Sequence, residues 1–156
     1  MSSKNRRSIR PKAAECGVQL AELAIVLPIL LLLLAAIAEF GNYFYTYTTL
    51  DKATRVAARY LAAHSDFAGE MNNAKNMAVC GATAACGGKT VLNGFGAGNV
   101  EITYSGTSST NPGLVTVRIT GYTYQPVFDL GKLAGGASWK DVNVSPSTTM
   151  LSTVVR

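Results

Sequence analysis

The stretch "CGVQLAELAIVLPILLLLLAAIAEFGNYFYTYTTLDKATRVAARYLA", residues 16–62, decides the fold. Its middle, Leu23 to Ala38, carries no charge. Extended back to Val18 it holds 21 residues, about 31 Å of helix. That matches a bilayer hydrocarbon core of about 30 Å. Glu22 stands inside the run near its start, and Pro28 interrupts it. A helical proline removes a backbone donor and crowds the carbonyl four residues back, so a kink is expected at Pro28. Membrane helices tolerate this where neighbouring groups satisfy the freed carbonyl.

Beyond Ala38 the helical pattern continues. Phe40, Tyr43, Tyr47, Leu50, Thr54, Ala57 and Leu61 recur in steps of three and four, which is one stripe on a helix. Asp51 and Arg55, spaced i, i+4, are placed to pair on its surface. Tyr43, Phe44, Tyr45 and Tyr47 cluster just past the apolar run, where an interfacial aromatic belt sits. One long helix is predicted from about Val18 to about His64.

The charge distribution orients this helix. Residues 1–17 hold Lys4, Arg6, Arg7, Arg10 and Lys12 against Glu15, a net +4. The other 139 residues hold nine Lys/Arg against eight Asp/Glu, a net +1. A basic tail directly before an apolar run follows the positive-inside rule, so the tail is expected in the cytoplasm and the remainder across the membrane. The folded part has no basic face of the kind nucleic-acid binding needs.

After the helix comes a glycine- and cysteine-containing region, residues 65–99, with its loop chemistry at about 81–98. The period then changes to two. "VEITY" (Val100 to Tyr104), "LVTVRITGYTYQPV" (Leu114 to Val127) and "DVNVSPSTTM" (Asp141 to Met150) read as strands, the first two joined as a hairpin by "SGTSSTNPG". Pro126 marks the end of the second. The fold class expected is α+β: a long N-terminal helix, its first half transmembrane, with a small, mostly antiparallel sheet (residues 100–156) packed on its outer half. Cys80 and Cys86 fall in "CGATAACGG", whose small residues permit a tight loop. Outside the membrane a disulfide between them would persist, and it is favoured over the alternative of two free thiols. Two cysteines and the distant His64 cannot supply four ligands at zinc-site spacing, so no metal is expected. Arg55 and Arg59 read as a solvated helix face, His64 as a helix-end residue and Trp139 as domain core.

No catalytic constellation is visible. There is one histidine, no phosphate-cradling glycine motif and no carboxylate cluster. The expectation is a non-enzymatic protein with no cofactor and no small-molecule substrate. On physics alone Glu22 has two readings. It snorkels to the headgroups at the membrane entrance, or it is buried among other helices against a cationic partner.

The segment "ECGVQLAE" resembles the type IV prepilin processing site. That pattern is a basic leader ending in glycine, then an apolar stretch with glutamate at the fifth mature position. Gly17 would close the leader, Val18 would be the first mature residue and Glu22 the fifth. The resemblance continues over residues 13–62. The Leu-rich run with its proline, Glu39-Phe40-Gly41, the aromatic stretch and "ATRVAARY" with Arg55 and Arg59 are similar to TadE-like minor pilins or pseudopilins of the Flp/Tad pilus.

The resemblance implies cleavage between Gly17 and Val18 by a prepilin peptidase. It also implies partnership with other pilins and the pilus assembly machinery, and a single-pass place in a bacterial inner membrane with the C-terminal domain periplasmic. Cleavage would leave the amine of Val18 at the head of an apolar helix. There a charge is costly unless paired, and Glu22 of a neighbouring subunit can pair with it, setting register more than stability. The cysteine pair is not a feature of that pattern. Two other readings remain open. Ala36-Ile37-Ala38 could end a removable signal peptide spanning residues 1–38, or the helix could be an uncleaved anchor for a periplasmic binding module.

Overall fold

A computed structural model describes residues 12–105, 113–128, 130–133, 135–136 and 142–152. The basic leader up to Pro11, most of the hairpin connection and Trp139 lie outside the described residues. Helix α1 spans Lys12–Ala62, 51 residues, and continues through Pro28 without a break in helical structure. The chain divides into two units, one ending at Ala38 and one beginning at Glu39.

The first unit is the N-terminal part of α1. Its large apolar side chains, from Val18 through Leu34 and Ile37, are exposed. By length and composition this helix is a candidate membrane span.

The second unit has its own core. From Glu39 on, α1 turns Thr46, Leu50, Ala53, Thr54, Ala57, Ala58 and Leu61 inward. The expected stripe holds at Leu50, Thr54, Ala57 and Leu61, with Tyr43 half-buried, but Phe40 and Tyr47 are exposed. Glu39 and Thr46 take the inward positions instead. Steps of three and four fit both stripes equally, and hydropathy favours the apolar one. Polar residues can occupy the buried stripe because each has a partner. Thr46 Oγ1 donates to the Asn42 carbonyl at 3.0 Å. The Thr54 and Thr148 hydroxyls lie 2.8 Å apart, joining α1 to the sheet. Asp51 and Arg55 pair on the surface at 2.9 Å, as their spacing predicts.

Helix α2, Phe67–Cys80, lies in a region whose glycines and cysteines suggest loop. Asp66 caps its start, accepting from the Gly69 amide at 3.0 Å. Gly81 ends it at φ 72°, the left-handed conformation that a residue without Cβ adopts freely. Phe67, Ala74 and Ala78 are buried on one face of α2, and Met71 packs beside them. The Tyr60 hydroxyl of α1 donates to Glu70 of α2, which also accepts from Asn73 at 2.8 Å. The Tyr60 contact is the larger of the two in holding the Glu70 carboxyl below its ordinary value.

A 3-10 turn at Ala97–Asn99 leads into β1, Val100–Ser105. Strand β2 is Leu114–Ile119 and β3 is Ser147–Leu151, with a short helix α3, Leu130–Leu133, between them. The sheet is antiparallel in the order β1-β2-β3, with Ile102 opposite Val117 and Val117 opposite Thr148. Val115, Val117 and Ile119 of the central strand alternate into the core. The second strand is shorter than alternation predicts. It stops at Ile119 because Gly121 turns the chain at φ 66°. Past this turn the chain forms an irregular extension, with Thr123 bridging Asn143 and the Val144 amide bonded to the Tyr122 carbonyl at 3.0 Å. The third strand begins later than expected, directly after Pro146, which has no amide to give a ladder.

Candidate functional site

Gly17, Val18 and Glu22 all lie on α1 and all are exposed. A Cβ at Gly17 would meet nothing within 4 Å, so folding does not demand glycine there. Val18 and Glu22 are four residues apart and share one helix face. Among the described residues Glu22 has no hydrogen-bond or ion-pair partner, so nothing described within the chain compensates its carboxylate.

Cys80 and Cys86 are brought together. Their Cα atoms are 5.7 Å apart and their sulfurs are disulfide-bonded at 2.03 Å. The bridge ties the end of α2 to the glycine-rich loop after it. His64 stands at the end of α1 with Nδ1 2.7 Å from the Tyr60 carbonyl oxygen. Among the described residues no group of three or more His, Cys, Asp or Glu side chains is assembled.

The site that sequence reasoning misses is at Glu39. It is the first residue after the charge-free run, yet only 7% of it is exposed. Its carboxylate is shared among three donors. Oε1 accepts from the Tyr124 hydroxyl at 2.5 Å. Oε2 accepts from the Val127 amide at 3.1 Å and the Phe128 amide at 2.9 Å. The Tyr124 oxygen in turn accepts from Asn42 Nδ2 at 2.9 Å. The Tyr124 ring meets Tyr43 edge-on, with centroids 5.2 Å apart. Burial, and then the hydrogen bond to Glu39, push the Tyr124 phenol up to about 12. Glu39 thus clamps the segment after the sheet's irregular extension to the part of α1 that opens the second unit. The available signal is an isolated acid between an apolar run and an aromatic cluster. Alternation marks Tyr122 and Tyr124 only as strand residues.

Residues 17–59 match the TadE-like protein family. The match opens at Gly17 and closes at Arg59, so the resemblance read from the sequence is borne out on α1. Neither the curated proteins nor the solved structures give a match. The TadE-like segment holds Glu22, Glu39 and the inward stripe as far as Ala58, while α2, the disulfide and the sheet lie outside it.

Proposed function

We propose that this chain is a minor pilin or pseudopilin of a Flp/Tad-type pilus. It would act after a prepilin peptidase cuts between Gly17 and Val18. The observation that carries this reading is the TadE-like match, which begins at Gly17 and covers a helix with uncovered apolar side chains. The role is assembly and not catalysis. The basic leader keeps the N-terminus in the cytoplasm, the span sits in the inner membrane, and the outer unit is periplasmic. The cut frees the amine of Val18, and Glu22 of an adjacent pilin offers the countercharge.

N-terminal sequencing of the protein isolated from membranes tests the reading. Val18 as the first residue supports it. Glu39 would indicate signal-peptide removal, and an intact leader would indicate a permanent anchor. Gly17→Leu should accumulate in the membrane at full length. Processing of that variant at the parental site would exclude the peptidase reading.

A further inference from the structure

The outer unit carries an apolar surface that its own core does not explain. Val127 is 69% exposed and Phe128 50%, on a segment with no helix or strand. Phe40 is 70% exposed and Phe44 59%. These side chains fall near one level of the helix, on different sides of it. The amides of Val127 and Phe128 are both held by the Glu39 carboxylate, and Phe40 is the next residue after Glu39 in α1. Glu39, Thr46 and Leu50 face the core, so Phe40 and Phe44 lie towards the opposite side of the helix. The Val127–Phe128 segment occupies the core side at the level of Glu39.

We infer that the Val127–Phe128 segment, pinned by Glu39, lies in the lipid headgroup region and completes with Phe40 and Phe44 an apolar belt around the emerging helix. The docked partner is the membrane interface itself. Chain continuity sets the depth. Val18 to Ala38 fill about 31 Å of helix, and Glu39 comes directly after. The headgroup layer on each side of the hydrocarbon core is roughly 5–8 Å thick, comparable to the reach of a glutamate side chain. Groups bonded to Glu39 therefore fall inside that layer. An exposed valine and phenylalanine are unfavourable in bulk water, whereas aromatic and aliphatic groups are accommodated at the interface. The clamp also explains why a carboxylate is retained there. It fixes two backbone amides that would otherwise compete for water at the membrane edge.

The assignment rests on the membrane reading of Val18–Ala38, and its test separates the two. Single cysteines for nitroxide labels are placed at Leu30, Val127, Phe128 and Glu101 in the full chain, with Cys16→Ser removing the unbridged thiol. The protein is reconstituted in phosphatidylethanolamine–phosphatidylglycerol vesicles. Collision rates are measured with oxygen, which partitions into lipid, and with a water-soluble nickel chelate. Because the clamp uses backbone amides, labels at residues 127 and 128 stay pinned.

Nickel collisions at both positions should be several-fold lower than at Glu101, with oxygen collisions between those at Glu101 and Leu30. Adding Glu39→Gln, which withdraws one acceptor, should raise nickel access at residue 128 and leave Leu30 unchanged. Labels at 127 and 128 as open to nickel as Glu101, with Leu30 in lipid, would overturn the inference and leave the span intact. Leu30 open to nickel would overturn both. Spin–spin broadening between residue-128 labels would mean that a second copy covers the patch, and would also overturn it.

Discussion

At the scale of single residues, Glu39 and Tyr124 form the most consequential pair in the outer unit. Neither is explained by the hydrophobic pattern around it. Glu39→Ala removes the carboxylate that accepts from the Tyr124 hydroxyl and the Val127 and Phe128 amides, leaving the hydroxyl only the longer contact to the residue-39 carbonyl oxygen at 3.4 Å, and a buried polar group that loses its good acceptor costs about 1–3 kcal/mol. The variant should lose stability in that range by chemical unfolding in micelles. No change would mean that the hydroxyl finds water instead. Alkaline titration gives a second expectation. The Tyr124 phenol is raised from 10.0 to about 12, chiefly by burial and then by its bond to Glu39. A raised pKa means the neutral form is the one the fold favours. Its contribution is complete below pH 10 and is lost as pH climbs through about 12. Tyrosinate absorbance should therefore show a late step; the hydrogen bond to Glu70 raises Tyr60 and burial raises Tyr122 as well, so Tyr124→Phe should take one tyrosine's amplitude from its last part. Identical curves for parent and variant would contradict the clamp.

At the scale of elements, α2 with its bridge carries the third expectation. The loop that Cys80 and Cys86 close is short, with a sequence separation of six. Constraining so short a loop in the unfolded chain is worth about 2 kcal/mol. The double variant Cys80→Ser, Cys86→Ser should unfold more easily by about that amount, measured by thermal melting of the outer unit in the full chain. Two thiols freely alkylated in the unreduced mature protein would exclude the bridge.

Helix α2 also shows where sequence reading stops. Asp66, Gly81 and the spacing of Phe67, Met71, Ala74 and Ala78 are helix signals. The glycines and cysteines just beyond them outweigh those signals. Helix α1 is legible because an uncharged run and a three-four stripe need no tertiary information. The choice between Phe40 and Glu39 as the inward residue does need it. It depends on an acceptor being met by donors more than eighty positions away. Strand existence is legible from alternation, but strand length is not. The stop at Ile119 depends on Gly121 adopting a positive φ, which alternation cannot signal. Cys80 and Cys86 can be paired from the small residues between them, whereas the Glu39 site depends on contacts invisible to spacing.

At the scale of the whole molecule, the two units have different needs. The outer unit satisfies itself, since among its described residues no buried side-chain nitrogen or oxygen lacks a partner. The span does not. Its apolar side chains are uncovered and Glu22 is without a partner among the described residues. Lipid can cover the leucines, but a carboxylate in an apolar layer favours a countercharge. If the Val18 amine of another subunit supplies it, Glu22 matters only once subunits meet. Glu22→Gln keeps the shape and removes the charge. Under the proposed pilin role it should be cleaved, remain in the membrane and keep a folded second unit, yet crosslink poorly to neighbouring pilins and support fewer filaments. Glu22→Leu should insert at least as well as the parent, because the costly charge is gone, and should fail at assembly in the same way. A carboxylate that merely snorkels to the headgroups predicts little effect from either change. Crosslinking within membranes, compared across parent and both variants, separates the two mechanisms. Full crosslinking and normal filaments in Glu22→Leu would show that register is set by something other than this charge pair.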